Sequence, residues 1–191
     1  RSLLATKKDV LFDFIKEGKT LIVQYNTPNG LKTPNIAPFP MKLSNDRVTD
    51  ENAAVQFLAP DHPVLNYPNK ITEKDFKGWK QEQGIYYPNE FDPAFTPILS
   101  SNDKGENAKN GALLIAPYGK GYYIYTGLSL FRELPEGVPG AFRLLSNMIS
   151  LGVTPPVTIA AAGPSAPAMV GAGQRAVVVR VRAPAAPAVR V

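Results

Sequence analysis

Apolar residues recur at helical spacing in two stretches of the chain, one near its beginning and one after residue 138. Residues 6–17 place apolar side chains on one helix face, and Gly18 follows as a typical helix end. The second stretch begins at Pro139, which suits a first helical turn, and ends before Gly152, which can adopt a left-handed conformation. The apolar positions are Val10, Leu11, Phe14 and Ile15 in the first stretch and Ala141, Leu144, Leu145, Met148 and Ile149 in the second. The pattern predicts two amphipathic helices.

Shorter apolar runs without helical spacing predict strands. Residues 21–25 are apolar apart from Gln24, as expected for a strand that is covered on both faces. Residues 112–116 and 121–126 are β-prone runs on either side of Tyr118-Gly119-Lys120-Gly121, so we expect a hairpin. Further short strands are predicted at residues 42–48, 54–58, 84–87 and 96–100, and a short helix at residues 72–79.

The order of these elements predicts a layered α/β domain over residues 1–152. A helix, a glycine, a short loop and a buried strand make half of a β–α–β unit, and a hairpin that leads into an amphipathic helix is typical of the end of such a domain. The strand that would complete the first unit is expected before Arg1, so we expect an N-terminally truncated domain. After Gly152 the composition shifts to Ala, Pro, Val, Gly and Arg. This predicts a disordered tail over residues 153–191, in which residues 176–182 could form an edge strand.

The net charge of +5 comes largely from this tail. Four of the 21 Lys and Arg residues, and none of the 16 Asp and Glu residues, lie after Gly152, so the domain itself is almost neutral. It has no basic run, which argues against nucleic-acid binding. It also has no apolar run of about eighteen residues, which argues against a membrane span. The abrupt shift further suggests that the tail is not the native continuation of the domain, a hypothesis that resequencing the gene across the Gly152 codon would test.

Few residues of the chain are typical of catalysis. The absence of cysteine excludes disulfides, thiolate zinc sites and a cysteine nucleophile. His62, the single histidine, lies between Asp61 and Pro63. It could be a base oriented by the aspartate or a metal ligand, but no second histidine accompanies it, and we favour a turn residue. Gly119-Lys120-Gly121 lacks the spacing of a phosphate-binding loop and is interpreted as the hairpin turn.

The richest local cluster of aromatic and polar side chains spans residues 79–92. Aromatic rings next to amides and carboxylates suit sugar recognition, because the rings cover apolar C–H faces while the polar groups bind hydroxyls. The same residues could instead pack the outer wall of the sheet, with the carboxylates in solvent. Glu82, Glu90 or Asp92 could also supply an acid/base pair. The candidate ligand-binding residues are Trp79, Glu82, Tyr86, Tyr87, Asn89, Glu90 and Asp92, together with Arg132.

Arg132 joins this group because of its place in the predicted fold. It follows the second hairpin strand, at the sheet edge where open α/β folds place their ligands. The alternative that we favour for Arg132 and Glu133 is a surface ion pair or a contact at the start of a helix.

Several stretches of the domain together resemble a known family. They are residues 19–26 (Lys-Thr-Leu-Ile-Val-Gln-Tyr-Asn), 48–53, 61–66, 76–88 (Phe-Lys-Gly-Trp-Lys-Gln-Glu-Gln-Gly-Ile-Tyr-Tyr-Pro), 119–121 and 135–144. From about residue 5 to residue 152, the chain resembles the C-terminal, class I glutamine amidotransferase-like domain of large bacterial PIG-L (LmbE-like) family proteins. The tail lies outside this resemblance.

The resemblance implies a flavodoxin-like scaffold that performs no amidotransfer, because the chain lacks the Cys of the Cys-His-Glu triad used by amidotransferases. In such proteins an upstream domain resembles a zinc-dependent N-acetylglucosaminyl deacetylase with a His-Pro-Asp-Asp type metal motif. Nothing in this chain matches that motif, and Asp61-His62-Pro63 only reverses part of it. The resemblance therefore implies no catalytic residue and no cofactor in this segment, and zinc in the upstream domain.

We expect a non-catalytic accessory domain that binds carbohydrate or docks on the upstream deacetylase domain of the same protein. Residues 79–92 are the expected contact surface, and the resemblance alone implies a secreted or periplasmic location. Two other hypotheses stay open at this point: a stand-alone carboxylate-based glycan hydrolase, and a purely structural interaction module.

Overall fold

The computed structural model describes residues 2–29, 31, 35–152 and 176–180, with the side chains of residues 2–5 and 176–180 left aside. Its helices are α1 (Ser2–Lys16), α2 (Leu130–Glu133) and α3 (Pro139–Ser150), with 3₁₀ turns at Pro63–Leu65 and Glu73–Phe76. Its strands are β1 (Thr20–Gln24), β2 (Met41–Val48), β3 (Gln56–Phe57), β4 (Gly84–Phe91), β5 (Thr96–Pro97), β6 (Leu99–Ser100), β7 (Leu113–Tyr118), β8 (Gly121–Thr126) and β9 (Ala176–Arg180). Among the described helices, none has the length and apolar character needed to cross a membrane.

The main sheet has five strands in the order β5–β7–β8–β1–β9. β1 runs parallel to β8 and to β9, whereas β7 pairs in antiparallel fashion with β5 and with β8. This mixed sheet with its helices confirms the expected α/β class, and the flavodoxin-like arrangement stays a prediction. β9 confirms a strand at the edge of the sheet within residues 176–182. The disorder predicted for the rest of the tail falls outside the described residues.

Helices cover both faces of the main sheet. Successive residues of β1 point to opposite faces of the sheet. Leu21 and Val23 pack in one core cluster with Ile15 of α1. Ile22 packs in a second cluster with Leu144 of α3. All of β1 is buried, which explains its unbroken apolar run and confirms the prediction of a strand covered on both faces.

The predicted hairpin is present as β7 and β8. Its turn places Gly119 at a φ of 61°, a left-handed conformation that glycine adopts without a steric penalty. A Cβ atom on Gly121 would clash with the carbonyl oxygen of Lys19, so a glycine is needed where the hairpin approaches the loop between α1 and β1. The Gly-Lys-Gly segment is a hairpin turn, as expected from its spacing.

α3 follows the predicted pattern with one correction. It begins at Pro139, and Gly152 after its end has the predicted left-handed φ, at 87°. Ala141 and Met148 are buried, but Ile149 is 42% exposed. A residue eight positions after Ala141 is rotated by about 80° around the helix, which moves it off the buried face. Phe142, 50% exposed, lies on the same side as Ile149, so the two form a short exposed apolar stripe.

Several short elements differ from the sequence-based predictions. The helix expected at residues 72–79 is a single 3₁₀ turn, which begins where the side chain of Asp75 accepts the N–H of Thr72. The helix does not continue because Gly78, with a φ of 74°, redirects the chain. The strand expected at residues 96–100 is divided into β5 and β6, which pair with β7 and β3 respectively. The strand expected at residues 54–58 is reduced to β3, whereas β4 is longer than predicted and pairs with β2.

Candidate functional site

The candidate residues of the segment 79–92 do not share one environment, and two of them belong to the core. Trp79 is 3% exposed, stacks on Phe76 at a centroid distance of 5.5 Å, and donates its indole N–H to the carbonyl oxygen of Asp75 at 2.9 Å. Tyr87 is fully buried, and burial raises the pKa of its hydroxyl well above the usual range. A ring enclosed in the core offers no face to a sugar. The ligand role predicted for Trp79 and Tyr87 is therefore corrected to a packing role.

Three other candidates lie at the far end of β4. Asn89 and Glu90 are exposed, and the carboxylate of Glu90 pairs with the ammonium of Lys42 at 2.5 Å. Asp92 accepts the backbone N–H of Ala94 at 2.8 Å, which caps a turn. Glu90 and Asp92 border a cleft of about 760 Å³ whose other walls are largely apolar. These contacts give the acidic side chains structural partners at the surface.

The remaining candidates, Glu82, Tyr86 and Arg132, meet near the start of β4. Arg132 donates from Nη2 to Oε1 of Glu82 at 3.2 Å and from Nη1 to the side-chain oxygen of Gln81. The adjoining cleft has a volume of about 460 Å³. Its lining residues are Lys80, Gln81, Phe131, Arg132, Pro135 and Glu136.

Aromatic rings lie against this cleft. The ring of Tyr25, directly after β1, lies 4.4 Å from that of Phe131 and 5.2 Å from that of Tyr86, edge-on in both cases. The guanidinium of Arg132 lies 5.0 Å from the centroid of Phe131. Burial, with a contribution from Tyr86 and Glu82, raises the pKa of the Tyr25 hydroxyl. We call this site the strand-end cleft: Gln81, Phe131 and Arg132 line it, and Tyr25, Glu82 and Tyr86 pack around these residues.

The backbone of the strand-end cleft is strained at three positions. Tyr25, Gln81 and Tyr86 have φ values of 48°, 68° and 63°, and they are the non-glycine residues with positive φ in the described part of the chain. For an aromatic side chain this conformation is a genuine outlier, because its Cβ crowds the neighbouring carbonyl. Strain of this kind persists only where the surroundings hold it, and it concentrates at functional sites.

Backbone hydrogen bonds hold the strained residues in place. The N–H of Tyr25 donates to the carbonyl oxygen of Thr126 at 3.0 Å, which extends the pairing of β1 with β8. The hydroxyl of Tyr125 donates to the carbonyl oxygen of Tyr86 at 2.8 Å. The N–H of Ser129 donates to the carbonyl oxygen of Gln83 at 2.8 Å, which fixes the segment that carries Gln81 against the start of α2.

Glu133 holds the backbone of the segment that carries Gln81. Its side chain is fully buried, and both carboxylate oxygens accept the backbone N–H of Lys80, at 3.1 and 3.0 Å. Burial raises the pKa of Glu133, against the hydrogen bond from Lys80, which lowers it. The ion pair favoured for Arg132 is present, with Glu82 as its partner. Glu133 is buried and supports the backbone instead of lying at the surface. Adjacent charged residues in a short helix point in different directions, so their separate partners follow from the fold alone.

Sequence reasoning missed Tyr25 and Phe131. A usable signal exists for the first, since Tyr25 follows a buried strand at its carboxyl end, where open α/β sheets bind ligands. Phe131 precedes Arg132, but an aromatic residue at the start of a helix is more often a core residue. Gln81 lies within the predicted segment 79–92, although it is not among the candidate residues named for it.

The carboxylates of the proposed acid/base pair are separated by the fold. Glu82 precedes β4 and Glu90 lies near its end, so at about 3.3 Å per residue they are on the order of 20 Å apart. Glycosidase carboxylates work at roughly 5–10 Å. Glu82 therefore cannot pair with Glu90 or Asp92. Glu90 and Asp92 border the same cleft, so the hydrolase hypothesis is left with that pair.

His62 acts as a turn residue. Its Nδ1 accepts the backbone N–H of Val64 at 3.1 Å and caps the 3₁₀ turn at Pro63–Leu65, and burial lowers its pKa. The structure thus favours the turn interpretation over a base or a metal ligand. Within residues 6–29, 31 and 35–152, His, Asp and Glu side chains form no group of three that could hold a metal ion.

Comparisons with known proteins add little to this geometry. No protein-family model matches the chain, and no curated protein matches it significantly. Among solved structures, the chain is similar to the β-galactosidase from Rahnella sp. R3, with 16% sequence identity and a TM-score of 0.40. The match covers 75% of this chain and 20% of that one, so this chain spans about a fifth of that neighbour's length. A likeness this low carries no argument about fold or activity, and the family resemblance stays a prediction.

Proposed function

We propose that this domain is a non-catalytic carbohydrate-binding domain and that the strand-end cleft is its binding site. The observation that carries the proposal is the clustering of three strained residues near one cleft at the carboxyl end of β1: Gln81 lines the cleft, and Tyr25 and Tyr86 form a ring cluster with Phe131, which also lines it. Strain that the fold maintains at a single place is best explained by a requirement for side-chain placement there. The position agrees with the general location of ligand sites in α/β sheets.

The composition of the cleft supports a sugar as the ligand. Phe131 supplies aromatic surface in the cleft and packs against Tyr25, which contacts Tyr86. Arg132 and Gln81 supply donors and acceptors in the lining, and Glu82 is bonded to Arg132. Sugars present apolar C–H faces next to hydroxyl groups, so they match such a mixture. A volume of about 460 Å³ lies within the range of small-molecule sites and fits one or two sugar rings.

The same cleft offers little for catalysis. Its carboxylate, Glu82, is paired with Arg132, and the other candidate acids lie at the opposite end of β4. His62 caps a turn elsewhere. These placements support a binding role for the domain rather than a hydrolytic one.

A second candidate function is docking on a catalytic domain, and the exposed stripe of Phe142 and Ile149 favours it. Exposed apolar side chains that lie together on a helix suit an interface. In the wider proposal, which rests on the family resemblance, the chain is a flavodoxin-like accessory domain of a secreted or periplasmic PIG-L-like deacetylase whose zinc lies in an upstream domain. Sequencing the coding DNA upstream of Arg1 tests this. A His-Pro-Asp-Asp motif there would support it, and an independent start without that motif would refute it.

Glycan binding tests the main proposal directly. The full chain is applied to a glycan array, and hits are quantified by calorimetry for the wild type, Phe131→Ala and Arg132→Gln. Loss of a central contact is expected to weaken binding about tenfold or more. Glu90→Gln, at the other end of β4, is the matched control and should bind like the wild type. Circular dichroism confirms that each variant is folded. Absence of glycan binding, or unchanged affinity in both cleft variants, would refute the proposal.

A further inference from the structure

The charges around the strand-end cleft are already balanced within the protein. Arg132 is paired with Glu82 and with the amide oxygen of Gln81. Glu136 lines the cleft beside Lys80, and the carboxylate of Glu133 is buried beneath it. A ligand that enters the cleft therefore meets no excess of positive charge.

The guanidinium of Arg132 is also poorly placed for a carboxylate or phosphate. A two-pronged contact needs two adjacent nitrogens of the guanidinium, either both Nη atoms or Nε with one Nη. Nη1 and Nη2 each have a partner, and Nε is buried and has no partner among the described contacts. An anionic group could make a two-pronged contact only by displacing Glu82 or Gln81, and it would lie close to the carboxylate of Glu82 in either case.

A neutral hydroxyl group fits the same arrangement without displacing anything. A hydroxyl both donates and accepts, so it can donate to the carboxylate of Glu82 while it accepts from a free N–H of Arg132. Adjacent hydroxyls of a sugar ring can each donate and accept in this way. The ion pair then serves as a combined donor and acceptor, with no net charge to attract anions.

We propose that the strand-end cleft selects neutral, hydroxyl-rich sugars over acidic sugars, and that Glu82 is the residue that sets this preference. The inference rests on the proposed carbohydrate-binding function and adds the class of sugar. Glu82 acts through its negative charge, which keeps Arg132 occupied and repels a carboxylate on the ligand.

Pairs of glycosides that differ only at C6 test this inference. Methyl glucoside is compared with methyl glucuronide, and methyl galactoside with methyl galacturonide, or with the corresponding disaccharides, by calorimetry on the full chain at low salt. The wild type is expected to bind the neutral member at least about tenfold more tightly. Glu82→Gln keeps an acceptor but removes the charge, so the preference should fall severalfold. Glu90→Gln should retain it.

The outcomes separate the two proposals. If the wild type binds no member of any pair and no glycan on the array, the carbohydrate-binding function fails, and this inference fails with it. If the acidic member binds as well or better, the site stands and the selectivity is wrong. If the neutral preference is present but unchanged in Glu82→Gln, the assignment to Glu82 is overturned. A neutral preference that falls in Glu82→Gln and persists in Glu90→Gln supports the inference.

Discussion

Glycine at position 81 is expected to be more stabilising than alanine, the reverse of the usual order. Gln81 has a φ of 68°, where a side chain costs about 1–2 kcal/mol. Alanine keeps that strain. Glycine removes it, but it also lowers the free energy of unfolding by roughly 0.5–1 kcal/mol because the unfolded chain is more flexible with glycine. Both substitutions lose the same exposed side-chain contact with Arg132. Gln81→Gly should therefore exceed Gln81→Ala in unfolding free energy by about 0.5–1 kcal/mol.

The matched control is the same pair of substitutions at Gln56, which is exposed in β3 and has no positive φ. There, glycine should be less stable than alanine by about 0.5–1 kcal/mol. Urea unfolding of the four variants, followed by the fluorescence of the single tryptophan, Trp79, measures both differences. If alanine at position 81 is as stable as glycine or more stable, the strain assigned to the strand-end cleft is not there. Glycan affinity should fall in both Gln81 variants, because each removes a partner of Arg132.

Three further predictions concern the stability of the fold. Asn147→Ala should lower the unfolding free energy by about 3 kcal/mol, because the buried amide of Asn147 forms hydrogen bonds with the backbone of Asn69 and Val64. Urea unfolding measures this loss, with Asn107→Ala as the exposed control, and a loss below about 1 kcal/mol would contradict the prediction. Burial lowers the pKa of His62 below its unfolded value of about 6.5, so the folded state binds fewer protons and stability should fall as pH drops below that value. The midpoint of urea unfolding should depend less on pH in His62→Asn, which keeps a capping acceptor, than in the wild type. An equal dependence in the two proteins would count against this linkage. Burial would raise the pKa of Asp103, but hydrogen bonds from Thr49 and Asp50 outweigh it and lower the pKa. The contribution of Asp103 to the free energy of unfolding should therefore be present above an unfolded pKa of about 3.9 and lost as pH falls through the folded pKa. Asp103→Asn should lower the free energy of unfolding by about 1 kcal/mol at neutral pH and by little in acid, and a loss of the same size at both would refute this.

The elements that the sequence predicted well are those whose burial follows a simple period. β1 has an apolar centre at residues 21–23 because both of its faces are covered, and α3 shows its buried face at Ala141, Leu144 and Met148. The strand-end cleft has no such period. Its members come from the end of β1, the start of β4 and the segment before it, and the start of α2. The pairing of β1 with β8, together with the hydrogen bond from Ser129 to Gln83, brings them together.

The errors at Trp79 and Tyr87 have a physical cause of the same kind. The sequence pattern of an aromatic residue next to carboxylates is the same whether its ring faces a ligand or the core, because only the tertiary structure decides its exposure. The 3₁₀ turn at Glu73–Phe76 ends at Lys77, and the redirected chain carries Trp79 onto Phe76. The strain at Tyr25 and Tyr86 was equally hidden, since neither residue type favours a positive φ. For Tyr25 itself, the adjacency to a buried strand is the one signal in the sequence, whereas Glu82, Tyr86 and Arg132 are among the residues predicted for the site.

The strand-end cleft is held in its strained form by bonds that require no ligand. Tyr25 is fixed by the carbonyl of Thr126, Tyr86 by the hydroxyl of Tyr125, and the segment of Gln81 by Ser129. Because the fold meets the cost of this conformation in advance, a ligand that enters need not order the cleft, and more of its contact energy appears as affinity. Tyr125→Phe removes the hydrogen bond to the carbonyl of Tyr86 without changing a residue of the cleft. It should therefore weaken glycan binding, and by more than the substitution of a neighbouring tyrosine that does not hold the cleft. Calorimetry on Tyr125→Phe and on Tyr122→Phe, a partly buried neighbour in β8, measures this difference. Equal affinities in the two variants would mean that the cleft does not depend on this support.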